Sequence, residues 1–236
     1  MSESLLSTEP PNGDLVPAFI EAGIPEMAAR IMQAALELFA RKGYAATSVR
    51  EIVQEANITN PMLYYYFESK EGVFLKLIDF LFSSMQTRIE TCIDGAKDLP
   101  AKVRAIAWAH IDGARRAPLT LQFIYSVIFG PEQSRPTFNI ICSHEAMMAR
   151  VYKMFDEAIA SGEFEPHPGF TTLFLTEQLM GMINNHLMHV LKLVECADSE
   201  EAQAYCTQNY LSEEALDRLV YFFLAGAGKL ESKESL

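Results

Sequence analysis

Apolar residues along the chain fall mostly at helical spacing. Ile31, Ala34, Ala35, Leu38 and Phe39 occupy i, i+3, i+4, i+7 and i+8, one face of an amphipathic helix that ends near Gly43. Next come two very short apolar segments. Val49, Ile52, Val53 and Ala56 give the first a buried face, and Ile58, Met62 or Leu63, and Phe67 give one to the second. Helices this short are marginal alone and must be held by a longer neighbour. Further on, the breaks predict six more helices: Ser69 to near Asp94, about Pro100 to Arg116, Pro118 to the Gly130-Pro131 stop, 136–161, about Gly169 to Val194, and Ser212 to about Gly226. An acidic loop around Ala197–Asn209 precedes the last of them. No hairpin signal or alternating strand competes, so the fold class is all-α, with about nine helices.

The stretch from Thr47 to Phe74 carries the most specific local chemistry. Ser48 followed by Glu51 has the form of a capping box, and Thr47 could cap instead. Asn57 suits a helix end because asparagine tolerates the left-handed conformation. Thr59 and Asn60 are both N-cap residues, and Pro61 fits a first helical turn, where its missing N–H costs nothing. Ser69 then caps the next helix, with Glu71 placed for its dipole. Helix, short helix, turn, short helix is a helix-turn-helix, whose second short helix can enter a DNA major groove. In the run Tyr64-Tyr65-Tyr66-Phe67, Phe67 is a core candidate. Tyr64 and Tyr65 can face outward, where a hydroxyl reaches a phosphate or a ring meets a thymine methyl. Lys70 could add a charged phosphate contact.

These residues resemble the DNA-binding domain of the TetR family, the tetracycline-repressor-like bacterial regulators. The resemblance rests on AALELFARKGY (Ala34–Tyr44), Thr47, Ile52, Ala56, Ile58, Thr59, Leu63, Tyr64, Phe67, Ser69, Lys70 and Glu71, and is firm over about residues 26–75. It implies an all-helical homodimer whose two recognition helices read a palindromic operator in double-stranded DNA. Each larger domain would hold a small-molecule effector. By position, the resemblance puts Thr59, Asn60, Pro61 and Met62 where the family contacts base edges, and Tyr64, Tyr65 and Lys70 where it contacts phosphates and sugars. It makes Thr47 or Ser48 the cap of the second helix against the backbone. Asn60 departs from the lysine or arginine often found there, and asparagine pairs naturally with adenine. The organisation implied is a flexible acidic arm over 1–25, within which Leu15 to Ile20 could dock locally, a helix-turn-helix domain over 26–72, and an effector-binding and dimerisation domain over 73–236.

Charge sharpens this reading. The 236 residues carry a net charge of −12, and residues 26–72 hold five basic side chains (Arg30, Arg41, Lys42, Arg50, Lys70) against six acidic ones. Phosphate neutralisation usually dominates DNA affinity, so weak nonspecific binding and a shallow salt dependence are expected. The same shortage motivates an alternative: a small-molecule-binding or protein-interaction module on this fold with weak or lost DNA binding.

For the effector, Trp108, Phe123, Tyr125, Met147, Tyr152 and Phe174 are bulky pocket candidates, with Gln178 to orient a largely apolar ligand. The helix at about 169–194 is apolar over much of its circumference and, with the helix at about 212–226, is the candidate dimer interface. Leu216, Leu219, Val220, Phe223 and Leu224 form the broad stripe of the second.

Other chemistry is sparse. The four cysteines have neither metal nor disulfide spacing, and His186 with His189 is a weak metal pattern to which His144 and Glu145 could be remote partners. No catalytic constellation, phosphate loop or cofactor motif is visible, so neither an enzyme nor a cofactor is expected. No apolar run reaches the roughly 18 residues needed to cross a bilayer. With no signal or transit pattern, a cytoplasmic location is the expectation.

Overall fold

A computed structural model of the chain describes residues 13–137, 140–195, 201, 204–205 and 207–230. In chain order the helices are α1 (Val16–Glu21), α2 (Glu26–Lys42), α3 (Val49–Glu55), α4 (Asn60–Phe67), α5 (Lys70–Gly95), α6 (Leu99–Arg116), α7 (Pro118–Phe129), α8 (Ile140–Ala160), α9 (Thr172–Glu195) and α10 (Glu213–Ala227). The chain divides into two compact units. The first holds the residues up to Leu81 with Gly113–Ile140, and the second Phe82–Asp112 with the residues from Ile141 onward.

In the first unit α2 is the base. It buries Ala28, Ile31, Met32, Ala35, Leu36 and Phe39, and α1, α3, α4 and α7 all pack on it. Phe39 sits at the centre, its ring 5.3 Å from Tyr44, 6.0 Å from Phe74 and 5.9 Å from Phe123. Within the arm, the segment expected to dock locally forms α1, whose fully buried Phe19 meets Phe80 edge-on at 4.6 Å. Gln33 fixes this segment by accepting from Leu15 N and donating to the Gly13 carbonyl. In addition, α7 belongs to this unit rather than to the remainder of the chain, because Phe123 fills the space beside Phe39 and Phe74.

Only two residues, Glu68 and Ser69, separate α4 from α5, at a tight junction. Glu68 takes φ +62° to stop α4, and Ser69 Oγ accepts from Gly72 N at 3.0 Å. Any Cβ at Gly72 would stand 2.0 Å from the Phe67 carbonyl oxygen, so only glycine lets the two helices meet this closely.

The second unit buries Ile89, Val103, Ile106, Val151, Phe155, Leu175, Ile183 and Leu216, among others. Arg104 joins α6 to the first turns of α10 through Glu213 and Asp217, the latter at 2.8 Å. Contrary to the expectation of no strands, a small antiparallel ribbon pairs β1 (Phe164–Pro166) with β2 (Gly228–Leu230), Phe164 opposite Leu230. Three-residue strands over sixty residues apart have no local alternation, which is why the pattern did not show them. Helix α10 begins as expected, with Ser212 accepting from Ala215 N at 3.1 Å. Among the described residues no helix is long and apolar enough to cross a membrane.

Candidate nucleic-acid interface

The start of α3 is fixed by chemistry within four residues. Ser48 is in extended geometry and accepts from Glu51 N, while the Glu51 carboxylate accepts from Ser48 N at 2.8 Å, a complete capping box. Thr47 is not the cap. The same carboxylate pairs with Lys42 at the end of α2. Its bonds to Lys42 and Ser48 hold the Glu51 pKa down to about 2. Because the folded value lies below the usual carboxylate range, this contribution is present above about pH 4.5 and is lost as pH falls toward 2. Ser48→Ala is expected to cost about 1 kcal/mol in chemical denaturation, the usual loss of an N-cap. A cost indistinguishable from zero would show that the box is ornamental.

After α3, Asn57 adopts φ +52°, and Ile58 N donates to the Val53 carbonyl at 2.9 Å to close the turn. Thr59 is the N-cap residue of α4, but its side chain makes no capping bond. Leu63 and Phe67 face inward against the first unit's core. The consequence is an outward face: Thr59, Asn60 and Pro61 are exposed, Met62 is half-buried, and Tyr64 and Tyr65 are 50% and 81% exposed. Tyr66 is half-buried, with Tyr65 edge-on to it at 4.9 Å. Six of the nine candidate DNA-contacting residues thus lie together on one short helix and its cap, available to a partner molecule.

Of the rest, Ser48 is exposed, whereas Thr47 and Lys70 are engaged internally. Thr47 is 2% exposed and its hydroxyl donates to the Gly43 carbonyl at 2.8 Å, so it braces the α2–α3 loop. The Lys70 ammonium donates to the Tyr44 and Thr47 carbonyls at 2.9 and 2.7 Å, and lies 4.0 Å from the centroid of the Tyr44 ring. Burial pushes its pKa down. The other cations are also occupied. Arg30 donates to the Ala56 carbonyl at the end of α3, Arg41 sits 3.7 Å from Glu37, and Lys42 holds Glu51. Arg50, exposed on α3, is the one basic side chain of residues 26–72 with no such partner among the described residues.

The candidate effector residues are divided between the two units. Trp108 and Tyr152 are half-buried in the second unit, while Phe174 and Gln178 are exposed on α9. Phe123 and Tyr125 are buried in the first unit, and the Met147 side chain lies outside the described residues, as does that of His144. Burial also holds His110 toward its neutral form, with Nδ1 2.8 Å from the Ile106 carbonyl. His186 Nε2 lies 2.6 Å from the Tyr210 carbonyl, and His189 stacks on the Tyr210 ring. Among the described residues no group of three or more metal-ligating side chains comes together.

Helices α9 and α10 are each two-faced. On α9, Leu175, Leu179 and Ile183 are buried, while Phe174, Gln178, Gly181, Asn185 and Met188 form an exposed stripe at i, i+4, i+7, i+11 and i+14. On α10 the stripe Leu216, Leu219, Val220, Phe223 and Leu224 is turned into its own unit. The outward face is instead made by Tyr221 and Phe222, 77% and 73% exposed, which the sequence reading did not single out. The available signal was two large apolar residues lying off an already complete apolar stripe.

The family described as bacterial regulatory proteins, tetR family, matches residues 31–77. YuxN, an HTH-type transcriptional regulator of Bacillus subtilis, is 44% identical over 59 residues, which is 25% of this chain and only 20% of YuxN. The HTH-type transcriptional repressor KstR2 of Mycolicibacterium smegmatis is 28% identical over 150 residues, 58% of this chain and 66% of KstR2. The structure of the transcriptional regulator FadR from Bacillus subtilis in complex with stearoyl-CoA is similar in fold at 17% identity. Its TM-score is 0.62, with 84% of this chain and 97% of that one covered.

Proposed function

We propose that this chain, which belongs to the TetR family of bacterial regulatory proteins, is a ligand-responsive transcription regulator that binds a palindromic DNA operator as a homodimer. The observation that carries the reading is the outward face of α4. Thr59, Asn60, Pro61, Tyr64 and Tyr65 stand free on a short helix that Leu63 and Phe67 lock onto the first unit. Such a helix, delivered twice about 34 Å apart, matches successive major grooves on one side of the duplex. Asn60 is suited to a bidentate bond with adenine, and Tyr64 and Tyr65 to phosphates and thymine methyls. By family habit the regulator is a repressor. Its effector is a largely apolar small molecule, in keeping with the acyl chain of the stearoyl-CoA in the FadR structure. An effector that favours a different separation of the two heads lowers operator occupancy, and a few kcal/mol of coupling suffices.

Selection from a randomised duplex library with the full chain is expected to enrich a palindrome with half-site centres about one helical turn apart. With so few cations left over, log affinity plotted against log salt should fall with a slope of only about 2 to 4 for the dimer. A slope near that of a strongly basic repressor, about 10, would contradict this. The engaged cations also favour a second reading, a ligand-binding or interaction module with weak or lost DNA affinity. Failure to enrich any sequence at low salt would select it.

A further inference from the structure

Lys70 stands where a phosphate contact was expected, yet its geometry serves the protein itself. A lysine ammonium has three donors. Two are committed to the Tyr44 and Thr47 carbonyls, and the charge rests against the face of the Tyr44 ring. That ring is in turn held by Phe39 at 5.3 Å and Phe74 at 5.1 Å, so the anchor is rigid. Bonds from a charged donor are roughly twice as strong as neutral ones, so the two carbonyls hold the ammonium toward the protein with one donor left over.

The places joined matter more than the bonds. The Thr47 carbonyl belongs to the peptide immediately before Ser48, the cap of α3. Lys70 follows Glu68, the end of α4, by two residues. One side chain therefore closes the whole helix-turn-helix into a loop, tying the entry of α3 to the exit of α4 across 23 residues. It is also the first residue of α5, the helix that carries the chain out of the first unit.

We infer that Lys70 is a positioning residue: it clamps the two ends of the helix-turn-helix to the start of α5 and sets the pose of α4, without itself neutralising a phosphate. The inference rests on the DNA-binding reading for its consequence, but the clamp is testable without DNA.

The test uses the full chain as wild type, Lys70→Met and Lys70→Arg. Hydrogen exchange comes first. In Lys70→Met, amides of Ser48–Ile52 and of Tyr64–Glu68 are expected to lose protection together, while the middle of α2 keeps it. Unchanged protection at either end overturns the clamp. Affinity for the selected operator follows, with the active fraction fixed by stoichiometric titration. Lys70→Met should weaken binding about tenfold or more, as loss of a charged hydrogen-bond donor does, with an unchanged salt slope. Lys70→Arg, which keeps donors and charge, should stay within roughly threefold of wild type. A slope reduced by about one per head would make Lys70 a phosphate contact after all. Full affinity in the active fraction of Lys70→Met would reduce it to a fold-stabilising residue. If the wild type enriches no operator, the DNA-binding reading falls by itself, and exchange alone decides the clamp.

Discussion

Aspartates at both Tyr221 and Phe222 are expected to give a folded monomer that binds the selected operator at least about a hundredfold more weakly, the lower end of what linking two binding modules contributes. Both side chains are more than 70% exposed in the single chain, so replacing them removes little packing and should alter intrinsic stability by no more than about 0.5 kcal/mol. On the proposed dimer, what they lose is a partner. Tyr221 and Phe222 lie on α10, and α9 exposes Leu173 and Phe174, 52% and 38%, together with Met188, also 38%. Apolar surface of this kind marks an interaction site when it is contiguous. A twofold pairing uses the same patch on both copies, so four such helices could close into a bundle. Gly181 lies in the exposed α9 stripe, and a Cβ there would meet nothing within 4 Å, so the helix surface is open to close approach. Analytical ultracentrifugation measures the assembly and fluorescence anisotropy the operator affinity. A double variant that remains dimeric would move the interface elsewhere on the chain. One that is monomeric yet binds the palindrome with full affinity would remove the dimer from the mechanism.

The reach of sequence reasoning here follows the range of the interactions. The Ser48–Glu51 box, the left-handed Asn57, Pro61 in the first turn of α4 and the Ser69 cap all act within four residues, and each was visible as a local pattern. The outward set on α4 was equally legible. Once Leu63 and Phe67 are assigned inward, helical geometry leaves Tyr64 and Tyr65 outside. The failures are long-range. Thr47 looked like a cap, but its hydroxyl turns back to Gly43 in a loop that Lys70, 23 residues away, bonds at the Thr47 carbonyl. Lys70 also bonds the Tyr44 and Thr47 carbonyls, which nothing in its sequence neighbourhood names. Phe123 looked like a pocket residue, since an aromatic on an apolar helix gives no hint of which core it joins. On α10, periodicity found the stripe that packs at home and passed over the two aromatics pointing away.

That Phe123 belongs with the first unit has its own measurable consequence. Phe39→Ala is expected to destabilise the first unit by about 3–5 kcal/mol, the usual cost of deleting a buried phenylalanine. Phe39 is completely buried and meets Tyr44, Phe74 and Phe123, rings supplied by the α2–α3 loop, α5 and α7. Against a total stability of roughly 5–15 kcal/mol, that loss leaves little margin. At about 4–8 °C per kcal/mol for a small domain, the melting transition should fall by more than roughly 10 °C. Operator binding should fail with it, because α2 is the surface on which α3 and α4 rest. The sharper test is the pair. Phe123→Ala alone should also be costly, and the double variant should be less damaging than the sum by about 0.5 kcal/mol or more, since the two rings lose some of the same contact. Strict additivity would mean that α7 is braced independently of α2. A coupled pair makes α7 part of the support under α4, so that a change in α7 reaches α4 through Phe123, Phe39 and the base helix they share.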